Sequence, residues 1–345
     1  MNSPGFESKI PMARARWRAW PGRLGVGSRG LAHFTLLLAI AGFPNSGHAA
    51  DPEPPGLRVG FASSMFTDVN GNDATAAVKA WGQMAAKDHG VATDPEPQIF
   101  KDQTALLLAF RNRSVDVAAM TTPEFRAVSK EVRLAPIFVT YEEGKDTVQY
   151  VLLVRRDSKI ESLADLRGRS FAFHRNSRLS LSQPWLDTLL AEKGLPPAAA
   201  FAGRITQSSR LANVVLPVFF RTTDACVVTR NGFDLMSELN PQVGKELKVI
   251  ATSVELVPCV FAFRADYSPP FKEQLLDGLR NLHKTPAGLQ MLTIFHGEKL
   301  EEQPVSCLDS ATELLDQHAL IANYAGTTNL LPRAAAAQTL GGVNP

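Results

Sequence analysis

Apolar runs of strand length alternate with segments of helical period through most of this 345-residue chain, and a polar loop stands at nearly every handover. "LRVGFA" gives way to "SSMFTDVNGND" and then to "ATAAVKAWGQMAAKDHG". In that last segment Ala74, Ala77, Val78, Trp81, Met84 and Ala85 share one helical face, between a cap at Asn72 or Asp73 and a stop at Gly90. A helix is predicted from Thr104 to Arg111. The strand "VDVAAM" follows, ending in "TTPEF" with Pro123 at a first helical position. "APIFV" and "TVQYVLLVRR" read as strands, and "SLADLRG" as a short helix with a Ser162/Asp165 capping box and a stop at Gly168. The pattern continues with the strand "SFAF", a helix over "SLSQPWLDTLLAEKG" ending at Gly194, the strand "DACVV" and a helix over "GFDLMSEL". "LKVIATS" and "CVFAFRAD" are strands, and two further helices part at Thr285 and Pro286. Such alternation implies α/β architecture with mixed, mostly parallel sheets. With 45% hydrophobic residues the chain is long enough for two cores rather than one.

The first 49 residues stand apart. Six basic groups and one acid precede and enter the apolar run "LAHFTLLLAIAGF", and "NSGHAA" supplies small residues before a cut near Ala49/Ala50. This is the layout of a cleaved secretory signal; the run is short for a membrane span, and an uncleaved anchor is the alternative. Removing six of 36 basic and one of 34 acidic groups leaves 30 against 33, so the exported chain is weakly acidic. That balance offers no reason to expect nucleic acid or a membrane surface as partner. Residues 332–345 read as a frayed tail.

Three cysteines allow one internal bridge at most. Cys226, inside "DACVV", reads as a buried thiol, whereas Cys259 and Cys307 are expected to pair if the compartment is oxidising. No metal-ligand spacing is present, and His283 and His296 read as helix-end residues.

The order "LRVGFA", amphipathic helix, "VDVAAMTTPEF", "VLLVRRDSKIESLADLRGRSFAF", "DACVVTRNGFD" and "FRADYSPPFKEQLLDGLRNLHKTPAG" resembles the substrate-binding proteins of phosphonate, phosphate and phosphite ABC transporters. The resemblance covers roughly residues 56 to 320. It implies the type II periplasmic binding protein fold: two α/β lobes joined by two crossing segments, near Thr140–Glu143 and Ala251–Ser253. Lobe one would hold 51–141 and 253–331, and lobe two 142–252. It further implies a periplasmic monomer without cofactor or metal, which takes a small anionic ligand between the lobes and meets a membrane ABC permease transiently.

Ligands of open α/β sheets lie beyond the carboxyl ends of the strands, where helix starts favour an anion. The candidate residues are therefore Ser63, Ser64, Met65 and Phe66; Thr121 and Thr122; Tyr141 as a lid; Arg175, Asn176, Ser177, Arg178 and Ser180; and Thr229 and Arg230. Each has a plainer reading: Ser180, Thr121 and Thr122 as caps, the arginines as surface charges, Tyr141 as hinge packing, and Met65 and Phe66 as core. Where phosphonate receptors carry a Ser-Thr-Ser cluster, this chain has Arg178, Leu179 and Ser180. Glu142 and Glu143 read as a solvated linker. No nucleophile elbow, P-loop or zinc-protease motif points to an enzyme. Two other roles stay open at this level: a sensor docking on a membrane partner, and a binding protein for a sulfonate or carboxylate.

Overall fold

In the computed structural model, the described residues are 56–66, 97–295 and 297–328, together with Asn72, Asp73, Thr75, Ala76 and Lys79, which are helical. The expected signal segment, most of the helix expected over 74–90, His296 and the tail lie outside them. All the described residues belong to one compact unit.

Among the described residues eleven strands form two mixed sheets, which is the type II binding-protein architecture expected. They are β1 (Val59–Ala62), β2 (Gln98–Phe100), β3 (Val117–Thr121), β4 (Leu134–Tyr141), β5 (Tyr150–Arg155), β6 (Ser170–His174), β7 (Arg204–Ser208), β8 (Ala225–Thr229), β9 (Leu247–Thr252), β10 (Cys259–Arg264) and β11 (Lys299–Gln303). The six-stranded sheet runs β11-β4-β10-β3-β1-β2 and the five-stranded sheet β7-β6-β8-β5-β9. Parallel ladders join β3, β1 and β2 in one and β7, β6 and β8 in the other. Antiparallel ladders build the remainder, around the strands that carry the chain across.

Strand periodicity sorts the cores. In β5, Tyr150, Leu152 and Val154 enter one cluster while Val151 and Leu153 enter another, so both faces of that sheet are covered. One cluster is closed by Trp185, Leu186 and Leu190 of the helix Ser182–Glu192, the other by Val214, Val215 and Val218 of the helix Ala212–Phe219. The third core belongs to the six-stranded sheet.

The helix boundaries follow local chemistry. Asp102, Thr229 and Thr285 accept N–H groups at their helix starts, and the Ser162/Asp165 capping box is present. Gly168 and Gly194 adopt φ of +71° and +67°, the left-handed conformation at which glycine ends a helix without strain.

The chain passes from β4 to β5 and returns from β9 to β10. These crossings are tied together by reciprocal Val148–Leu256 backbone hydrogen bonds of 2.8 and 2.9 Å. The helix Asp309–Thr328, which the sequence reading grouped with lobe one, places Ala311, Leu314 and Leu315 in the five-stranded sheet's core. Beneath the six-stranded sheet, the Asp116 carboxylate is 1% exposed and meets Arg58 at 2.7 Å and Arg264 at 3.3 Å.

The expected Cys259–Cys307 bridge is absent: both thiols, like that of Cys226, are free. Cys259 opens β10 opposite Thr121, close to Ser177 and Arg178 of the other sheet. Cys307 sits in the turn Val305–Leu308. Burial raises both thiols to about 11.

Candidate functional site

The turns that follow the carboxyl ends of β1 and β6 meet each other. From the six-stranded side comes the turn Ser63–Phe66, and it touches the turn Ser177–Leu179 from the five-stranded side. Pro258, at the return crossing, accepts the Ser180 hydroxyl at 3.1 Å and so joins the two lobes. The predicted loops therefore do meet, but most of their hydroxyls already have acceptors.

At the start of the helix Thr122–Val128, Glu124 folds back to take the Thr121 N–H at 2.8 Å and its hydroxyl at 2.7 Å. The Ser64 hydroxyl donates to both oxygens of the same carboxylate, at 2.9 and 2.8 Å. An internal anion thus satisfies the donors that sequence reasoning reserved for a ligand. Thr122 is fully buried and donates to the Val257 carbonyl, while Ser63 donates to Lys101.

The other side is built around a buried cation. Arg178 is only 8% exposed, and its carbonyl holds the Tyr150 hydroxyl at 2.7 Å. Its Nε lies 2.7 Å from Glu142 Oε2, yet off the hydrogen-bond line, so this buried donor has no acceptor. Arg178 borders a cavity of about 160 Å³ with Glu142, Glu143, Asn176, Thr229 and Asn231. In that cavity Asn231 donates to Glu143 at 2.9 Å, Asn176 caps the Leu179 N–H and Thr229 caps the Gly232 N–H.

The remaining candidates lie elsewhere. Arg175 is exposed outside the cavities, and Arg230 reaches Thr252 at the surface. Tyr141 faces β11 rather than the crevice: its hydroxyl accepts from Gln303 at 3.1 Å and Lys299 covers its ring at 4.3 Å. The β4–β11 ladder pairs Tyr141 with Lys299 and so directs it there. Burial and the nearby Glu301 raise the Tyr141 phenol to about 12. Met65 is buried, and Phe66 packs on Phe61 and Phe295.

Sequence reasoning missed Glu124, Glu142, Glu143 and Cys259. The Thr121-x-x-Glu124 spacing of a capping box was the one available signal. Among the described residues no group of His, Cys, Asp and Glu is arranged to hold a metal, and no helix is long and apolar enough to cross a membrane.

Residues 66–303 match the family described as "ABC transporter, phosphonate, periplasmic substrate-binding protein". The chain belongs to this family. It is accordingly a periplasmic substrate-binding protein of the phosphonate ABC-transporter type. Solved structures agree on the fold. XAC2383 of Xanthomonas citri, bound to chloride ion, is 17% identical with a TM-score of 0.58, covering 78% of this chain and 99% of that one. A binding protein component of an ABC phosphonate transporter from Pseudomonas aeruginosa is 16% identical with a TM-score of 0.52, over 82% and 99%. PhnD1 of Prochlorococcus marinus, in complex with methylphosphonate, is 16% identical with a TM-score of 0.53, over 76% and 97%. At such identities the likenesses establish the fold alone. No curated protein matches the chain.

Proposed function

We propose that this family member captures a small oxyanion, phosphonate-, phosphate- or phosphite-like, in the crevice between its lobes and delivers it to a membrane ABC permease. Lobe one would comprise 51–141 and 253–331 and lobe two 142–252, after export directed by residues 1–49. No chemical step is involved.

The observation that carries the reading is Arg178. A guanidinium this buried is costly unless its donors are satisfied, and here Nε has an ion-pair partner but no aligned acceptor. An oxyanion presents several acceptors in the planar geometry a guanidinium fits. It would take Arg178 over from Glu142, which sits on the crossing segment, and so couple binding to the hinge. Ser177 and the backbone N–H groups of that turn would complete its shell.

Calorimetric titration with phosphate, phosphite, methylphosphonate, methanesulfonate and acetate tests this. At least one phosphorus oxyanion is expected to bind, more tightly than acetate. Silence across the whole panel would overturn the reading.

A further inference from the structure

We propose a second anion site, at the foot of the six-stranded sheet and apart from the crevice, that takes a multivalent oxyanion such as pyrophosphate. β10 starts at Cys259, paired with Thr121, and ends at Arg264, about 17 Å further along at the rise of a strand. Beside Arg264 lies a cavity of about 540 Å³, within the size range of small-molecule sites, bordered also by Arg111, Arg113, Arg133, Glu131 and Asp266. It shares no lining residue with the cavity at Arg178.

Four guanidinium groups stand against two carboxylates here, a surplus of two positive charges. Part of that charge has a structural reason. Arg111 ends the helix Gln103–Arg111, where the carbonyl end favours a cation, and it meets Glu131 at 3.0 Å. Arg264 is only 8% exposed and lies 3.3 Å from Asp116, longer than the about 2.7–2.9 Å of a strong guanidinium–carboxylate bond. Its other acid, Asp266, is shared with Arg113 at 2.9 Å.

Arg113 and Arg133 have no such reason. Arg113 follows the helix end, its N–H reaching the Phe110 carbonyl at 3.2 Å and that of Ser114 the Ala109 carbonyl at 2.9 Å. Its φ of +56° suits glycine or asparagine, and an arginine side chain is carried there at a steric cost. Arg133 is exposed, and no described carboxylate pairs with it. One arginine is thus held against its backbone preference and another is left without an acid, both beside a buried guanidinium that is loosely paired. Guanidinium forks grip oxyanion oxygens two at a time. Forks from three segments of the chain suit an anion with two charged groups better than one with a single group.

The test is calorimetric titration of the exported chain carrying Arg178→Met, which removes capture in the crevice, with pyrophosphate and, in parallel, orthophosphate. Pyrophosphate is expected to bind, about tenfold more tightly than orthophosphate. Arg113→Gly and Arg133→Gln, in this background or in the unaltered chain, should each weaken it about tenfold. Glycine adopts the φ of Arg113 freely, so the first variant should unfold at its parent's temperature or above, which separates lost binding from lost structure. Arg210→Gln, at an exposed arginine elsewhere, should leave binding unchanged. Absence of pyrophosphate binding, equal affinity for orthophosphate, or losses at Arg113 and Arg133 no greater than at Arg210 would each overturn the site. None of these results bears on capture in the crevice, which is read on the chain with Arg178 intact.

Discussion

Two buried charges, one in each lobe, are treated in opposite ways. Asp116, below the six-stranded sheet, receives the Arg58 N–H at 3.1 Å and its guanidinium at 2.8 and 2.7 Å, with Arg264 beside it. Arg178, at the crevice end of the five-stranded sheet, has one off-line contact to Glu142 and an unaccepted Nε. The helix starts differ likewise. Thr122–Val128 opens on its own Glu124, whereas no side chain caps Ser182–Glu192. The Asp116 charge is fully answered inside the protein, while that of Arg178 is left under-answered.

The contrast can be broken most severely at Asp116. Asp116→Ala takes the buried carboxylate from Arg58 and from the buried Arg264, which keeps only Asp266, and urea unfolding should register a loss of about 3–5 kcal/mol. Arg178→Met should behave in the reverse sense. Stability should stay within about 1 kcal/mol, because a poorly satisfied buried cation is replaced by an apolar chain of similar length. Anion affinity in calorimetry should fall by about 2–4 kcal/mol. A large loss of stability here, with binding unchanged, would place Arg178 beside Asp116 in kind and dissolve the distinction.

Glu124→Gln sharpens the comparison from the six-stranded side. It removes an internal negative charge from the crevice while keeping an acceptor for Ser64 and Thr121, so oxyanion affinity should rise by about 1 kcal/mol. The smallest effect is expected at Asp224. Burial acts to raise its pKa, but the Ser170 hydroxyl and N–H and the Arg169 charge outweigh it, leaving the carboxyl below its ordinary value. A carboxyl lowered on folding stabilises above its unfolded-state pKa, and that contribution is lost as pH falls through the lower folded value. Asp224→Asn should therefore flatten the stability profile below roughly pH 4 and leave oxyanion binding at neutral pH unaltered.

The elements legible in the sequence were those whose pattern and local caps agree, such as β5, β6, β8 and the helix Ser182–Glu192. Three edge strands were not legible. β2 is only three residues long, β7 reads "RITQS" with every residue at least partly exposed, and β11 reads "KLEEQ". Edge strands are kept short or charged, which removes the apolar signal a reader relies on. The long C-terminal helix was obscured because its described side chains bury a narrow stripe around Ala311, Leu314 and Leu315.

For the site, residue types at the strand ends announced a polar crevice, but not which hydroxyls the protein would use for itself. Ser64 meets Glu124 across 60 residues of chain, and Glu142 meets Arg178 only once both sheets exist. Pairing over such distances is a product of the fold and leaves no local trace. Cys259 was misjudged for the same reason. It lies near Ser177, brought over from the other sheet, and its thiol is free rather than bridged.

The helix Asp309–Thr328 reaches both lobes. His318 meets the nearly buried Asp187 at 3.1 Å on one side, and Asp316 meets Arg126 at 2.9 Å on the other. With its apolar stripe sunk in the five-stranded half, the helix makes an Arg126 contact that a rotation about the Val148–Leu256 tie would strain. Asp316 is half exposed, so dissolved electrolyte weakens that contact while sparing the apolar anchorage. Ionic strength would then act as a second control on how readily the two halves part, independent of whatever occupies the space between them.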